Sequence, residues 1–211
     1  MKLKGIGEAA QGVAGAFFMV LALATPFLRY WRHWGETSTE VSRKLPGDDI
    51  VPHPKGGYTH AITIRAPRNE VWLWVVQLGQ SRGGFYSYDF LENLVGCDIH
   101  TVDRIVPEYQ HTKESEGLRL APAMPPMPLV AMDAEKTLLF GGAIDTDSAT
   151  SWLFYLEDSN GDTRLISRWL IDHKGNFVGN LSYYFFEKIA WVMGRKMLLG
   201  IKKRAEAESS L

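Results

Sequence analysis

Residues 9–28 read AAQGVAGAFFMVLALATPFL, an apolar run with no charge and only Gln11 and Thr25 as polar side chains. Twenty helical residues rise about 30 Å, the thickness of a hydrocarbon core. Tyr30, Trp31 and Trp34 follow, with Arg29 and Arg32 among them, as at a membrane–water interface. The pattern predicts an N-terminal membrane anchor over 1–33. The competing reading is a cleaved signal peptide, with Lys2 and Lys4 as its basic start and Ala22-Leu23-Ala24 as its small-residue site. Glu8 and the length of the leading segment weigh against that. Positive groups flank the run almost evenly, and the reading adopted is one pass of the inner membrane with the domain on the cytoplasmic side. Gly12, Gly15 and Ala16 lie on nearby helix faces, suited to packing against another helix.

Beyond the run, prolines and glycines over 34–57 mark a linker hugging the domain surface. Residues 58–66 alternate as a first strand should. Pro67 and Glu70 open a helix that stops at Gly79. Asp89 and Glu92 have capping-box spacing for a second, short helix ending near Gly96. Alternation predicts strands at 100–106, 117–121, 128–133, 136–142, 149–157 and 162–172. Asn160-Gly161 between the last two is a hairpin signal. The chain closes with a helix over 178–207, whose Phe185, Ile189, Met193, Met197 and Ile201 recur every four residues. The order predicts an α+β domain over 58–208, a long helix laid across a curved antiparallel sheet.

Three stretches carry a family resemblance. They are Trp34-Gly35 with Leu45-Pro46-Gly47-Asp48-Asp49; Thr63 to Pro67 with Glu70 to Gln77, Gly79 and Arg82 to Asp89; and Ile105 to Gln110. Together they resemble bacterial members of the START-like, SRPBCC superfamily, the helix-grip fold. The resemblance implies a cavity between the sheet and the C-terminal helix, usually apolar. Members of the superfamily include lipid carriers, aromatic-polyketide cyclases, hormone receptors and protein-partner modules, so function is argued from the site.

The net charge of −1 provides no footprint for nucleic acid. Cys97 is the single cysteine, which excludes an intramolecular disulfide. The six histidines show no metal-ligand spacing, and neither a metal nor a cofactor is expected. Trp72, Gln77, Arg82, Tyr86, Tyr88, Trp152, Arg168, Met193 and Met197 are the candidate cavity residues. Methionines adapt to variable pockets, and the aromatic rings, with Trp74, Phe85 and Trp169 added to them, serve as walls or as plain core. Arg164 and Arg168 share a strand face. An inward Arg168 needs a carboxylate, for which Glu108 is the candidate, as a pair polarising a ligand carbonyl or as a structural salt bridge.

Three functions follow. One is membrane-anchored binding of a lipid-like or aromatic small molecule. Another is an accessory role beside other membrane-protein subunits, resting on the small-residue face and on Trp191 and Leu198 read as exposed. The third is a cyclase- or dehydratase-type enzyme using Tyr86, Glu108 and Arg168, with the balance leaning away from catalysis.

Overall fold

The computed structural model describes residues 12–17, 32–111, 117–145, 148–173 and 177–209. Among the described residues six strands form one sheet: β1 (His33–Trp34), β2 (Gly56–Ile64), β3 (Leu129–Asp133), β4 (Thr137–Asp145), β5 (Ser148–Ser159) and β6 (Asp162–Asp172). Their spatial order is β1-β2-β6-β5-β4-β3, with β1 parallel to β2 and every other pairing antiparallel. The element order also holds the helices α1 (Ser38–Ser42), α2 (Arg68–Val76), α3 (Asp89–Leu94) and the long α4 (Phe177–Glu208), with a 3₁₀ turn at Pro107–Tyr109. The β5–β6 hairpin turns where expected. Asn160 (φ 59°) and Gly161 (φ 90°) both take the left-handed conformation that a tight two-residue turn demands.

Alternation along the strands sorts the side chains onto two faces. Tyr58, Ile64, Leu165, Trp169, Phe154 and Leu138 face α4, which buries Trp191, Met197, Leu198, Ile201 and Ala205 against them. Two glycines let that helix sit close. A Cβ on Gly200 would fall 2.2 Å from the Tyr86 carbonyl oxygen, and one on Gly194 2.7 Å from the Tyr58 hydroxyl. Trp191 and Leu198 are therefore core, not exposed, and the Trp191 indole donates to the Gly57 carbonyl (3.1 Å).

The other face is covered as well. The stretch read as a linker lies across it as a strap, where Leu45 and Ile50 pack on Ala61, Leu139, Leu153 and Ile166. The strap's helix α1 carries the capping box: Glu40 N–H donates to Thr37 Oγ1 (3.2 Å) and Thr37 N–H to Glu40 Oε2 (2.6 Å).

Three local expectations are corrected. Asp89 does not cap α3, because its carboxylate accepts from Thr101 N–H (2.8 Å) and Thr101 Oγ1 (2.7 Å). Residues 100–106 form no strand, since their amides bond elsewhere: Thr101 to Asp89, Val102 to the Gly83 carbonyl, Val106 to Gln77 Oε1. Residues 117–121 contribute only a single bridge, Leu118 to Met127. In both stretches the apolar side chains plug the core from a loop, so alternation without a neighbouring strand misleads.

Of the apolar run 9–28, residues 12–17 are described and helical. The rest of the anchor expected over 1–33, apart from Arg32 and His33, lies outside the described residues. Among those described, no helix is long and apolar enough to cross a membrane.

Candidate ligand-binding cleft

The residues singled out by motif assemble into braces more than into a pocket. Gln77 is fully buried at the end of α2 with its hydrogen-bonding capacity filled. Its Nε2 donates to the Tyr86 hydroxyl (2.8 Å) and the Arg104 carbonyl (3.1 Å), and its Oε1 accepts from Val106 N–H and Gln110 Nε2 (3.1 Å each). Arg82 donates to the carbonyls of Val76 and Tyr109. Tyr86 takes a left-handed conformation (φ 54°), and burial raises its hydroxyl pKa. These groups bind the 104–110 loop to α2, which is why the motif needs polar residues at those positions.

Arg168 corrects the catalytic expectation. It points to the strap face, 5% exposed, and every donor of its guanidinium is committed. Nε donates to Thr59 Oγ1 (3.2 Å), Nη1 to Asp48 Oδ2 (2.7 Å) and the Arg43 carbonyl (3.2 Å), and Nη2 to the carbonyls of Glu40 and Val41. Glu108 is exposed on the short 3₁₀ turn Pro107–Tyr109. The two do not meet: Arg168's carboxylate partner is Asp48. The shared-face reading of Arg164 holds, and Arg164 pairs with Glu40 (Nε to Oε1, 2.7 Å). Burial opposes Glu40's ionisation, but the bonds from Arg164 and Thr37 outweigh it and bring its pKa down to about 2.

Much of the interior between sheet and helix is filled by side chains. Trp72 and Met197 are core, Phe85 stacks on Trp152 (6.2 Å between centroids), and the Trp152 indole donates to Ser167 Oγ (3.0 Å). Tyr88 packs with Trp191 and Val192, and Met193 lies half-buried at the edge of that cluster. A cavity of about 340 Å³ lies under the strap, where Arg168 and Asp48 are walls. A second, of about 260 Å³, opens between the sheet and the first half of α4.

That second cavity has the expected location with different walls. Trp169 and Ile171 of β6 form its floor, Tyr183 and Tyr184 of α4 one side, and His173, Lys55 and Glu187 its polar rim. The rim is held in place: Tyr183 stacks on His173 (3.9 Å, 14° between planes), Lys55 Nζ donates to the His173 carbonyl (2.7 Å), and Glu187 Oε1 accepts from Gly57 N–H (2.8 Å). Of the nine candidate cavity residues none lines this cleft; Trp169, one of the further rings read as wall or core, does. The signal for it was the four-aromatic run Tyr183-Tyr184-Phe185-Phe186, because four successive helix positions point around the whole helix and one core cannot bury them all.

No protein-family model and no curated protein matches the sequence. Solved structures similar to the chain include the Polyketide_cyc-like protein Cgl2372 from Corynebacterium glutamicum, with 18% identity, TM-score 0.42 and coverage of 72% of this chain and 93% of that one. TTHA0849 from Thermus thermophilus aligns at 10% identity and TM-score 0.33, covering 72% of this chain and 99% of that one. Ara h 8.0201 aligns at 12% identity and TM-score 0.26, covering 72% and 97%. The topology fits the helix-grip fold. Among the described residues no cluster of His, Cys, Asp and Glu is arranged to hold a metal ion.

Proposed function

We propose that this domain binds a small apolar, aromatic molecule in the cleft between β6 and the first half of α4, and does so at a membrane. The observation that carries the reading is the aromatic lining of that cleft, Trp169, Tyr183 and Tyr184, beside Ile171 and the polar Lys55, His173 and Glu187. Apolar walls with a few placed polar groups are the usual make-up of a small-molecule site. The Trp169 ring is already fixed from behind, its indole donating to Thr150 Oγ1 (3.0 Å). Rigid rings lose little freedom when a ligand arrives. The membrane part of the reading is supported by the uncharged run 9–28 and the aromatic and arginine residues after it.

The enzyme reading loses its motive with the separation of Glu108 from Arg168. The accessory-subunit reading loses one of its motives with the burial of Trp191 and Leu198.

Denaturing mass spectrometry of the purified protein, followed by calorimetric titration of whatever copurifies, tests the cleft. Trp169→Leu and Tyr183→Ala are expected to weaken binding by about tenfold or more, roughly 1.4 kcal/mol. Met132→Ala, on the far strand β3, is the control. Unchanged affinity in both cleft variants would sink the assignment.

A further inference from the structure

The helix α3 and its exit leave three apolar side chains in solvent: Phe90 at 54%, Leu94 at 68% and Val95 at 78% exposure. Phe90 and Leu94 are four apart and so share a helix face. The helical stretch 12–17 lies against the same helix. A Cβ on Gly12 would fall 2.8 Å from the Phe90 ring, and one on Gly15 2.9 Å from Leu91 and Tyr88, so the two glycines of the small-residue face are spent inside the chain while Ala16 stays exposed. Val13 and Phe17, again four apart, stay exposed.

The surface continues onto α4. Ser87 Oγ donates to the Met193 carbonyl (3.3 Å), which sets the start of α3 beside that point of the helix. Ile189 and Phe186 precede Met193 by four and seven residues on one stripe, and both are exposed. Phe186 in turn meets Trp169 of the cleft edge to face (5.9 Å). Lys196 stands over the Tyr88 ring (5.4 Å) on the same flank.

Where the chain goes from this face names its occupant. It leaves at Phe17 into Phe18–Leu28, eleven residues without a charge, and then meets Arg29, Tyr30, Trp31 and Arg32. With 12–17 docked on α3, the apolar sequence left over rises at most about 16 Å as a helix, half of a hydrocarbon core. Segments that lie in a membrane interface are among the apolar stretches of that length, and an aromatic and arginine flank suits them. We propose that Val13, Phe17, Phe90, Leu94, Ile189 and Phe186 form a face that docks on a lipid bilayer at the depth of its headgroups. This face is argued without the cleft and stands or falls apart from it.

The full-length chain tests it on vesicles of phosphatidylcholine with phosphatidylglycerol. An environment-sensitive nitrobenzoxadiazole label is placed at Leu94→Cys in a Cys97→Ser background. Vesicles are expected to raise and blue-shift its emission, with lipids brominated near the headgroup quenching it more than lipids brominated near the bilayer centre. The double variant Leu94→Glu/Val95→Glu is expected to float with vesicles at least tenfold less, with unchanged circular dichroism. Flotation with a silent label, deeper quenching from the bilayer centre, or undiminished flotation of the double variant overturns the proposal. A dimer on gel filtration that the double variant splits assigns the face to a second copy and overturns it equally. Aromatic-ligand affinity at the Trp169 cleft is read separately in the same variants and is expected to be unchanged.

Discussion

Gln77 and Glu92 are long polar side chains with opposite outcomes. Gln77 has its amide fully engaged. Glu92 has a sealed carboxyl oxygen, Oε2, without a hydrogen-bond partner among the described residues. Burial, with the neighbouring Asp89 adding to it, pushes the Glu92 pKa up to about 8. An acid whose folded pKa is raised holds its proton in the folded state. Its contribution to stability is whole below its ordinary value of 4.5 and is lost as pH rises through about 8. Glu92→Gln, neutral at every pH, is therefore expected to match the parent near pH 4 and to melt several degrees higher at pH 9. Thermal unfolding across that range checks it, and parallel curves would mean that the carboxyl is better solvated than its setting implies. Neither outcome was legible from the sequence. Gln77 stood out only as part of a motif, and the Asp89–Glu92 spacing suggested a helix cap that Thr101 pre-empts.

At the scale of elements, the strap decides the roles of the charged residues. Three arginine–carboxylate pairs fasten it to the sheet: Arg164 to Glu40, Arg168 to Asp48, and Arg43 to Glu157. A buried pair costs about 3–5 kcal/mol when one partner is removed, because the other charge is left without compensation. Arg168→Met is expected to lose about that much in urea denaturation. Arg168→Met with Asp48→Leu is expected to recover part of it. A loss under about 1 kcal/mol in the single variant, the range of an exposed pair, would show the strap to be loosely held. Glu40 adds an acid-sensitive term of opposite sign to that of Glu92. Its pKa of about 2 means that its contribution is present above 4.5 and lost as pH falls through 2. The strand parity of Arg164 and Arg168 could be read from spacing alone. Which face they take could not, because that depends on a segment more than a hundred positions earlier in the chain folding over the sheet.

For the molecule as a whole, the filled interior limits what it can hold. A cleft of about 260 Å³ lies just below the usual range of ligand sites, about 300–1,000 Å³. Single-ring aromatic compounds are therefore expected to raise the melting temperature in a concentration-dependent way, while long acyl chains and sterol-sized bodies leave it unchanged. A thermal-shift series over ring count and chain length checks this, and a shift with palmitate but not with small aromatics would reverse the size assignment. Under the proposed docking, the exposed apolar face beside the cleft would set the same molecule against lipid, where apolar ligands concentrate.

The sequence by itself determined the elements whose signal is local. The Asn160-Gly161 hairpin follows from left-handed turn chemistry, α2 from its proline entry and glycine stop, and the extent of α4 from a long apolar period. Those suffice for an α+β order with a closing helix. Only the tertiary structure decided which side of the sheet each face meets, that the space under α4 is largely filled, and that the remaining cleft lies among Trp169, Tyr183 and Tyr184. Periodicity sorts residues into faces, but each face's partner is set by contacts between segments far apart in the chain, and such contacts leave no mark in local spacing.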